Sequence, residues 1–467
     1  MEENKRKLSK WIKIPLWIIG ALLFIVILIP ILLYIPPVQT FVKDVAANIV
    51  EKSTGMKIQI DRFRLKWPVD VSLDGVHIIE ASGDTMVYAK EVIADVKMAP
   101  LFKLDVDINE LKLVDAGLRI LSPDSSMLLK LKANLIDIDD KSSVDIKKLI
   151  IDLNKVVIKG ADLSLDMDVW KKAPASPDTA PLDLKILLHD VEIENFSFGM
   201  AMLPTIDTLS LSTKSLIIRN GDIDLSQNKI TADYISTSEG FVDYYAPTPE
   251  YVSTHPMPVD TTGVESAPIV IIGDTIRIED FRALYAIKGA KPLPGFDPSY
   301  IQVSDVNIQV DSFYNEASTV RLPITEITAN ERSGLSITAG HGTIQVDSTG
   351  LSLGDLYIQT PYSNIGASAN IPFAFMEMKP NANFNVNAEG SVGWPDIESF
   401  MPDLASYTKK LPERSPLKFD VAADGSLEDI ILSNLDISIK DVLQIEASGQ
   451  ARNAMDLKKL EASIKFE

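Results

Sequence analysis

The chain has 467 residues, 46% hydrophobic and 24% charged, with no cysteine and a formal charge of −20. That length exceeds a single hydrophobic core, so two or more domains or one elongated repeat are expected, and the hydrophobic content excludes simple disorder. The acidic surface excludes nucleic acid as a partner, and the missing cysteines exclude disulfides, thiol nucleophiles, zinc–thiolate sites and iron–sulfur clusters.

Residues 1–13 form a basic tail, with Lys5, Arg6, Lys7, Lys10 and Lys13 against Glu2 and Glu3, net +3, which leaves −23 for the remainder. Residues 14–35 follow as 22 residues without a charge. As a helix this run is roughly 33 Å long, enough to cross a hydrocarbon core of about 30 Å. Pro15 falls in the first turn, where its missing N–H costs nothing, and Pro30 is a kink that membrane helices tolerate. Trp11, Trp17 and Tyr34 lie where interfacial aromatic belts lie. The basic residues precede the helix, so the N-terminus is expected in the cytoplasm and the rest on the far side. A cleaved signal peptide would carry a shorter apolar run and a small-residue site close behind. Here Pro36-Pro37 follows a longer run, which favours an uncleaved anchor.

Residues 38–55 place Val38, Phe41, Val42, Val45, Ile49 and Val50 at helical spacing and end in Ser53-Thr54-Gly55, a stop. The spacing predicts a short amphipathic helix, lying on the membrane or capping a β core.

After Gly55 the period changes from 3.6 to 2. Ile58, Ile60, Phe63, Leu65 and Trp67 alternate with polar residues, apart from a slip at Asp61-Arg62 that reads as a bulge. The same alternation runs through Leu104–Asn109, Ile136–Asp139, Asp162–Asp168, Ile276–Glu279, Ile437–Lys440 and Ser463–Phe466. Such strands have one wet face and one apolar face. With almost no helices to cover it, the apolar face needs another sheet, its own curling sheet, or a ligand. Asp190–Phe198 recurs loosely as Asp305–Phe313, each followed by a strand-rich stretch, which suggests degenerate β repeats. Two stretches, 172–181 and 246–268, are rich in Pro, Ser and Thr and read as loops or linkers. The expected regions beyond the amphipathic helix are therefore 56–171, 182–245 and 269–391, all β. A helical insertion at 392–411 is split at Pro402, and a β region at 412–467 is expected to continue beyond these residues.

No catalytic constellation stands out, and no cofactor or metal is expected. His77, His189, His255 and His341 are isolated, and no nucleophile elbow, P-loop or dinucleotide fingerprint is present. Asp222-Ile223-Asp224-Leu225-Ser226 begins like a calcium loop, but Gln227 stands at the sixth position and Asp233 at the twelfth. Asp-x-Asp pairs recur at Asp105/Asp107, Asp137/Asp139 and Asp166/Asp168, as the solvated face of a strand explains. Among 65 acidic residues nothing selects a pair for glycoside hydrolysis, so an enzyme is the weakest reading.

The opening resembles AsmA-like proteins: an anchor, a helix ending in Ser53-Thr54-Gly55, Val71–Ile78, Gly83-Asp84-Thr85, the Ala89–Val96 strand, Pro100-Leu101-Phe102 and Leu111–Leu118. Ile301–Phe313, Glu331–Leu335 and Leu356–Ser363 resemble the long TamB branch in its Bacteroidetes-type form. The resemblance implies a single-pass inner-membrane protein with a periplasmic ectodomain. Its fold would be mainly β: the transmembrane helix, then an elongated, curled antiparallel sheet forming an apolar trough, with few short helices. It implies phospholipids and the inner membrane as partners, with a part in phospholipid movement between membranes and outer-membrane biogenesis. Nothing in the sequence matches TamB's C-terminal domain, so an outer-membrane barrel assembly partner would be engaged through a region outside these residues. The side chains expected to line the groove are Ile58, Ile60, Leu104 and Val106, with Ile108, Leu163 and Leu165. Two alternatives remain open: a factor that offers strand edges to outer-membrane proteins such as autotransporters, and a passive scaffold with closed, dry sheets.

Overall fold

The computed structural model describes residues 57–66, 70–80, 83–96, 105–122, 125–145, 147–168, 183–203, 207–255, 268–379, 382–408, 415–453 and 461–466. The expected transmembrane segment at 14–35, the amphipathic helix at 38–55 and the loop at 172–181 lie outside them. Among the described residues no helix is long and apolar enough to cross a membrane. The protein is mainly β, with a few short helices. Two compact units divide at Pro268/Ile269.

In the first unit the period-2 segments become long strands. β1 (Lys57–Lys66), β2 (Asp70–Ile79), β3 (Thr85–Val96) and β4 (Asp105–Leu121) pair in chain order as antiparallel neighbours. β5 (Met127–Asp139) lies on the second half of β4, and the short β6 (Ser142–Asp145) lies on its first half. The break between β5 and β6 is at Asp140 and Lys141, both left-handed (φ +60° and +62°). Ser142, fully buried, holds that break closed: its hydroxyl donates to Asp139 O at 3.0 Å and accepts from Asn154 N at 3.0 Å. β7 (Ile150–Asp168) pairs with both β5 and β6.

β7 and β8 (Lys185–Leu203) pair in parallel, in register from Ile150↔Lys185 to Asp168↔Leu203. This corrects the expectation of an antiparallel sheet throughout. A parallel pair needs a crossover of about a dozen residues or more, and the Pro-rich stretch between the two strands is long enough to supply one. β9 (Asp207–Asp224) and β10 (Lys229–Ala246) return to antiparallel pairing. The regions 56–171 and 182–245 are thus joined by a continuous ladder within one unit. A helix, Pro249–Thr254, follows β10 inside the stretch read as a loop; Thr248 caps it by accepting from Tyr251 N.

The second unit is an antiparallel series. β11 (Val270–Ile287), β12 (Tyr300–Glu316) and β13 (Thr319–Glu331) lead, through the two-residue β14 (Ser336–Ile337), to β15 (Ala339–Val346). Then come β16 (Gly350–Gln359), β17 (Asn364–Pro372), β18 (Phe384–Val392) and β19 (Leu417–Gly425). β20 (Asp429–Ile439), β21 (Leu443–Arg452) and β22 (Glu461–Phe466) complete it. The β18–β19 ladder passes over a helical insertion: Trp394–Phe400, a 3-10 turn at Pro402–Leu404, and Ala405–Thr408. Pro402 opens the 3-10 turn after Met401, whose non-helical backbone (φ −129°, ψ 77°) ends the first helix. The loosely repeated Asp190–Phe198 and Asp305–Phe313 fall in β8 and β12, but β8 has a parallel neighbour and β12 does not.

Candidate functional site

The ladders of the first unit stack one apolar residue on the next across nine strands. On β1 to β4 the row is Ile58, Ile78, Val87 and Leu118. It continues as Leu131, Leu163, Phe198, Leu211 and Val242 on β5 and β7 to β10. Eight strand spacings of about 4.8 Å carry this row roughly 38 Å. Two residues along each strand, on the same face, a second row holds small side chains: Ala89, Ala116, Ala133 and Ala161 are all buried. Beyond it a third row runs Leu73, Val92, Leu113, Ile136, Ile158 and Ile193.

Burial on this face is deepest at one end. Leu73, Ile78 and Met86 are each 1% exposed and form a core with Ile108, Leu111 and Val144. From β4 onward the large members of the first row, Leu118, Leu131, Leu163, Phe198, Leu211 and Val242, are only half-buried. A cavity of about 160 Å³ lies on this face, lined by Val76, Val87, Val92, Leu113, Leu118 and Leu131 among others. The lining is almost wholly apolar, the kind of space that stays dry and takes hydrocarbon. Among the described residues of this unit the one helix, Pro249–Thr254, buries none of its side chains.

Beside the alanine row every ladder breaks. Gly75, Asp115, Gly160, Asn195 and Glu239 are left-handed, with φ between +46° and +62°. They stand on β2, β4, β7, β8 and β10, next to residues of the alanine row, and form one line across the sheet. Left-handed residues within strands bend them locally, and Gly, Asn and Asp tolerate the conformation best. Across the line Lys90 Nζ meets Asp115 Oδ2 at 3.2 Å, and Lys214 Nζ meets both Glu239 carboxylate oxygens at 2.8 Å. The slip at Asp61-Arg62 belongs to this line: the β1–β2 ladder passes from Ile60↔Val76 to Arg62↔Asp74.

The opposite face is polar. The neighbours of the first row run Gln59, His77, Tyr88, Gly117, Lys132 and Asp162. Gly117 is needed there because the Tyr88 ring lies over it; a Cβ would fall 2.2 Å from Tyr88 Cε1. Ion pairs tie adjacent strands: Lys185 to Asp222 at 2.8 Å, Lys159 to Glu194 at 3.0 Å, and Arg219 to Asp190 and Glu192. The hydrogen bond to Asp222 raises the Lys185 amine above its ordinary value, against the lowering effect of desolvation.

The expected groove residues divide as follows. Ile58 and Ile60 pack against the core cluster, and Ile108 is inside it, 4% exposed. Leu163 is in the first row, and Leu165 extends the same face, between Leu129 and Met200. Val106 pairs with Val144, and Leu104 lies outside the described residues. Sequence alternation did not single out the alanines or the line of left-handed residues. Their signal was the recurrent Gly, Asn or Asp at the middle of long strands.

Three of the four isolated histidines have a local partner. His189 Nε2 meets Asp152 Oδ1 at 2.9 Å, His255 stacks on Tyr251 at 4.2 Å, and His341 stacks on Tyr357 at 5.3 Å. Asp224, in the calcium-like stretch, closes the β9–β10 turn: its Oδ1 accepts from Ser226 N, Ser226 Oγ and Gln227 N. Those bonds, the Ser226 hydroxyl's first, hold its carboxyl below the usual carboxylate range. Asp233 accepts from Asn220 Nδ2 at 2.8 Å. Comparison with protein-family models, with curated proteins and with solved structures found no match for this chain.

Proposed function

We propose that the first unit binds the acyl chains of phospholipids along its apolar rows and serves lipid movement between membranes. The observation that carries this reading is the unbroken apolar row from Ile58 to Val242, half-buried over most of its length. A continuous apolar row that is only half-buried is a surface of the kind that takes a hydrocarbon ligand. Acyl chains would cover it, each buried CH₂ contributing about 0.8 kcal/mol. The line of left-handed residues supports a sheet that curls around such chains, as the trough of AsmA-like proteins does. In this reading residues 14–35 anchor the protein in an inner membrane and the sheets stand in the periplasm. The polar outer face, cross-tied by ion pairs, meets water. No step of catalysis is assigned.

The test is lipid analysis of the full chain purified in mild detergent. Phospholipid should copurify with the wild type and be lost in Leu163→Asp with Leu211→Asp, while circular dichroism stays unchanged. Equal lipid content in the folded variant would refute the reading. Crosslinks to nascent barrel strands in place of lipids would move the assembly reading ahead.

A further inference from the structure

The apolar face of the first unit has a floor and two walls. Along the register, Val76 on β2 is followed by Ala89, Ala116, Ala133 and Ala161 on β3, β4, β5 and β7, and then by Phe196 on β8. A row of small side chains is thus bounded by a large one at each end. The rows on either side are large as well. Val87, Leu118 and Leu131 from one, and Val92, Leu113 and Ile136 from the other, line a single cavity of about 160 Å³. Ala89, Ala116 and Ala133 line the same cavity, so the space follows the alanines across the strands.

No charged side chain lines this space, which excludes a headgroup from it. An apolar cavity of about 150 Å³ takes a hydrocarbon the size of benzene, so the width suits one slender chain. The length also suits one. From Val76 to Ala161 there are four strand spacings, about 19 Å, and half of a bilayer's hydrocarbon core is about 15 Å. Polarity sets the direction. Where the row begins, Ile78 is 1% exposed and Val76 4%, whereas Leu163, Phe196 and Phe198 at its other end are half-buried. A terminal methyl gains from the deeper burial, but an ester carbonyl buried there would have no donor. We propose that the groove holds one acyl chain lying across the strands, its methyl end against Val76 and Ile78 and its ester end at β7 and β8. This orientation presupposes the acyl binding proposed above and adds to it a direction and a capacity of one chain.

Two photoreactive phosphatidylcholines test it, one with a diazirine at the methyl end of an acyl chain and one with it next to the ester. Each is added to the full chain in mild detergent and photolysed, and the adducts are mapped by mass spectrometry. The methyl-end probe should label β2 to β4, at Val76, Val87 or Leu118, and the ester-end probe β7 and β8, at Leu163 or Phe198. Ala116→Leu with Ala133→Leu fills the floor and should cut methyl-end labelling of β2 and β3 about tenfold, the loss expected when about two methylenes are kept out of the groove. Circular dichroism should stay unchanged; the smaller Ala116→Val carries the same test, with a lesser loss, should the double variant unfold. The same labels from both probes on all of these strands would overturn the orientation and leave acyl binding in place. Undiminished methyl-end labelling in a folded, filled variant would overturn the alanine floor as the site. No labelling from either probe would refute acyl binding itself, and this orientation with it.

Discussion

Gly160 and Asn134 stand opposite one another on β7 and β5, and a Cβ on Gly160 would lie 2.1 Å from Asn134 Nδ2. Gly160 is also left-handed, at φ +62°, in the line that includes Gly75, Asp115, Asn195 and Glu239. Two demands, a positive φ and a close neighbour, therefore fall on one position. Gly160→Ala should destabilise the protein by about 1–2 kcal/mol through the conformation alone. Adding Asn134→Ala should restore only part of that, because the amide can move aside but φ cannot. Denaturant unfolding of both variants checks this; full restoration would show that the contact, not the backbone, sets the cost.

The apolar face should respond to charge differently at buried and half-buried positions. Ala133 is 3% exposed, so Ala133→Asp places an unpaired carboxyl among hydrocarbon and should cost ~3 kcal/mol or more. Leu163→Asp, on the half-buried row, should leave the fold intact. If both variants unfold alike, the face is a closed core.

The packed end of the same face should behave as ordinary core. Leu73→Ala or Ile78→Ala, each at a site 1% exposed, should cost about 2–5 kcal/mol. Half-buried Leu131→Ala should cost clearly less. Thermal melts of the three variants decide the order.

Two turn carboxylates give the fold an acid limit. The Ser226 hydroxyl holds the Asp224 carboxyl below its usual range, and the Thr349 hydroxyl does so for Asp347. A carboxyl whose value is lowered on folding contributes stability above its unfolded value, about 4, and loses it as pH falls through the folded value. Asp347→Ala should therefore lower Tm at neutral pH, and its gap to wild type should close as the medium is acidified below about pH 4. A gap that stays constant down to about pH 3 would contradict the assignment.

Much of the β architecture was legible because one variable, the period of two, specifies both strand and face. Ile58 and Ile60, then Leu163 and Leu165, could be assigned to one apolar side before any pairing was known. Pairing itself was not legible. That β7 and β8 run parallel depends on how the chain returns through a Pro-rich stretch, which carries no periodicity. The alanine row escaped notice because Ala89, Ala116, Ala133 and Ala161 are individually unremarkable and align only once the register is set. The slip at Asp61-Arg62 was readable as a bulge. That it lies in a line with Gly75, Asp115 and Gly160 is a property of the sheet, not of any strand.

Leu131 and Lys132 are adjacent residues on opposite faces of β5, so together they separate the proposed acyl-binding face from its polar reverse. A photoreactive phenylalanine analogue is placed at position 131, 132, 162 or 163 of the full chain in cells, and crosslinked material is analysed by mass spectrometry. Phospholipid adducts at 131 and 163, with none at 132 and 162, are the predicted result. Adducts equal at all four positions, or absent from 131 and 163 in the folded protein, would contradict it.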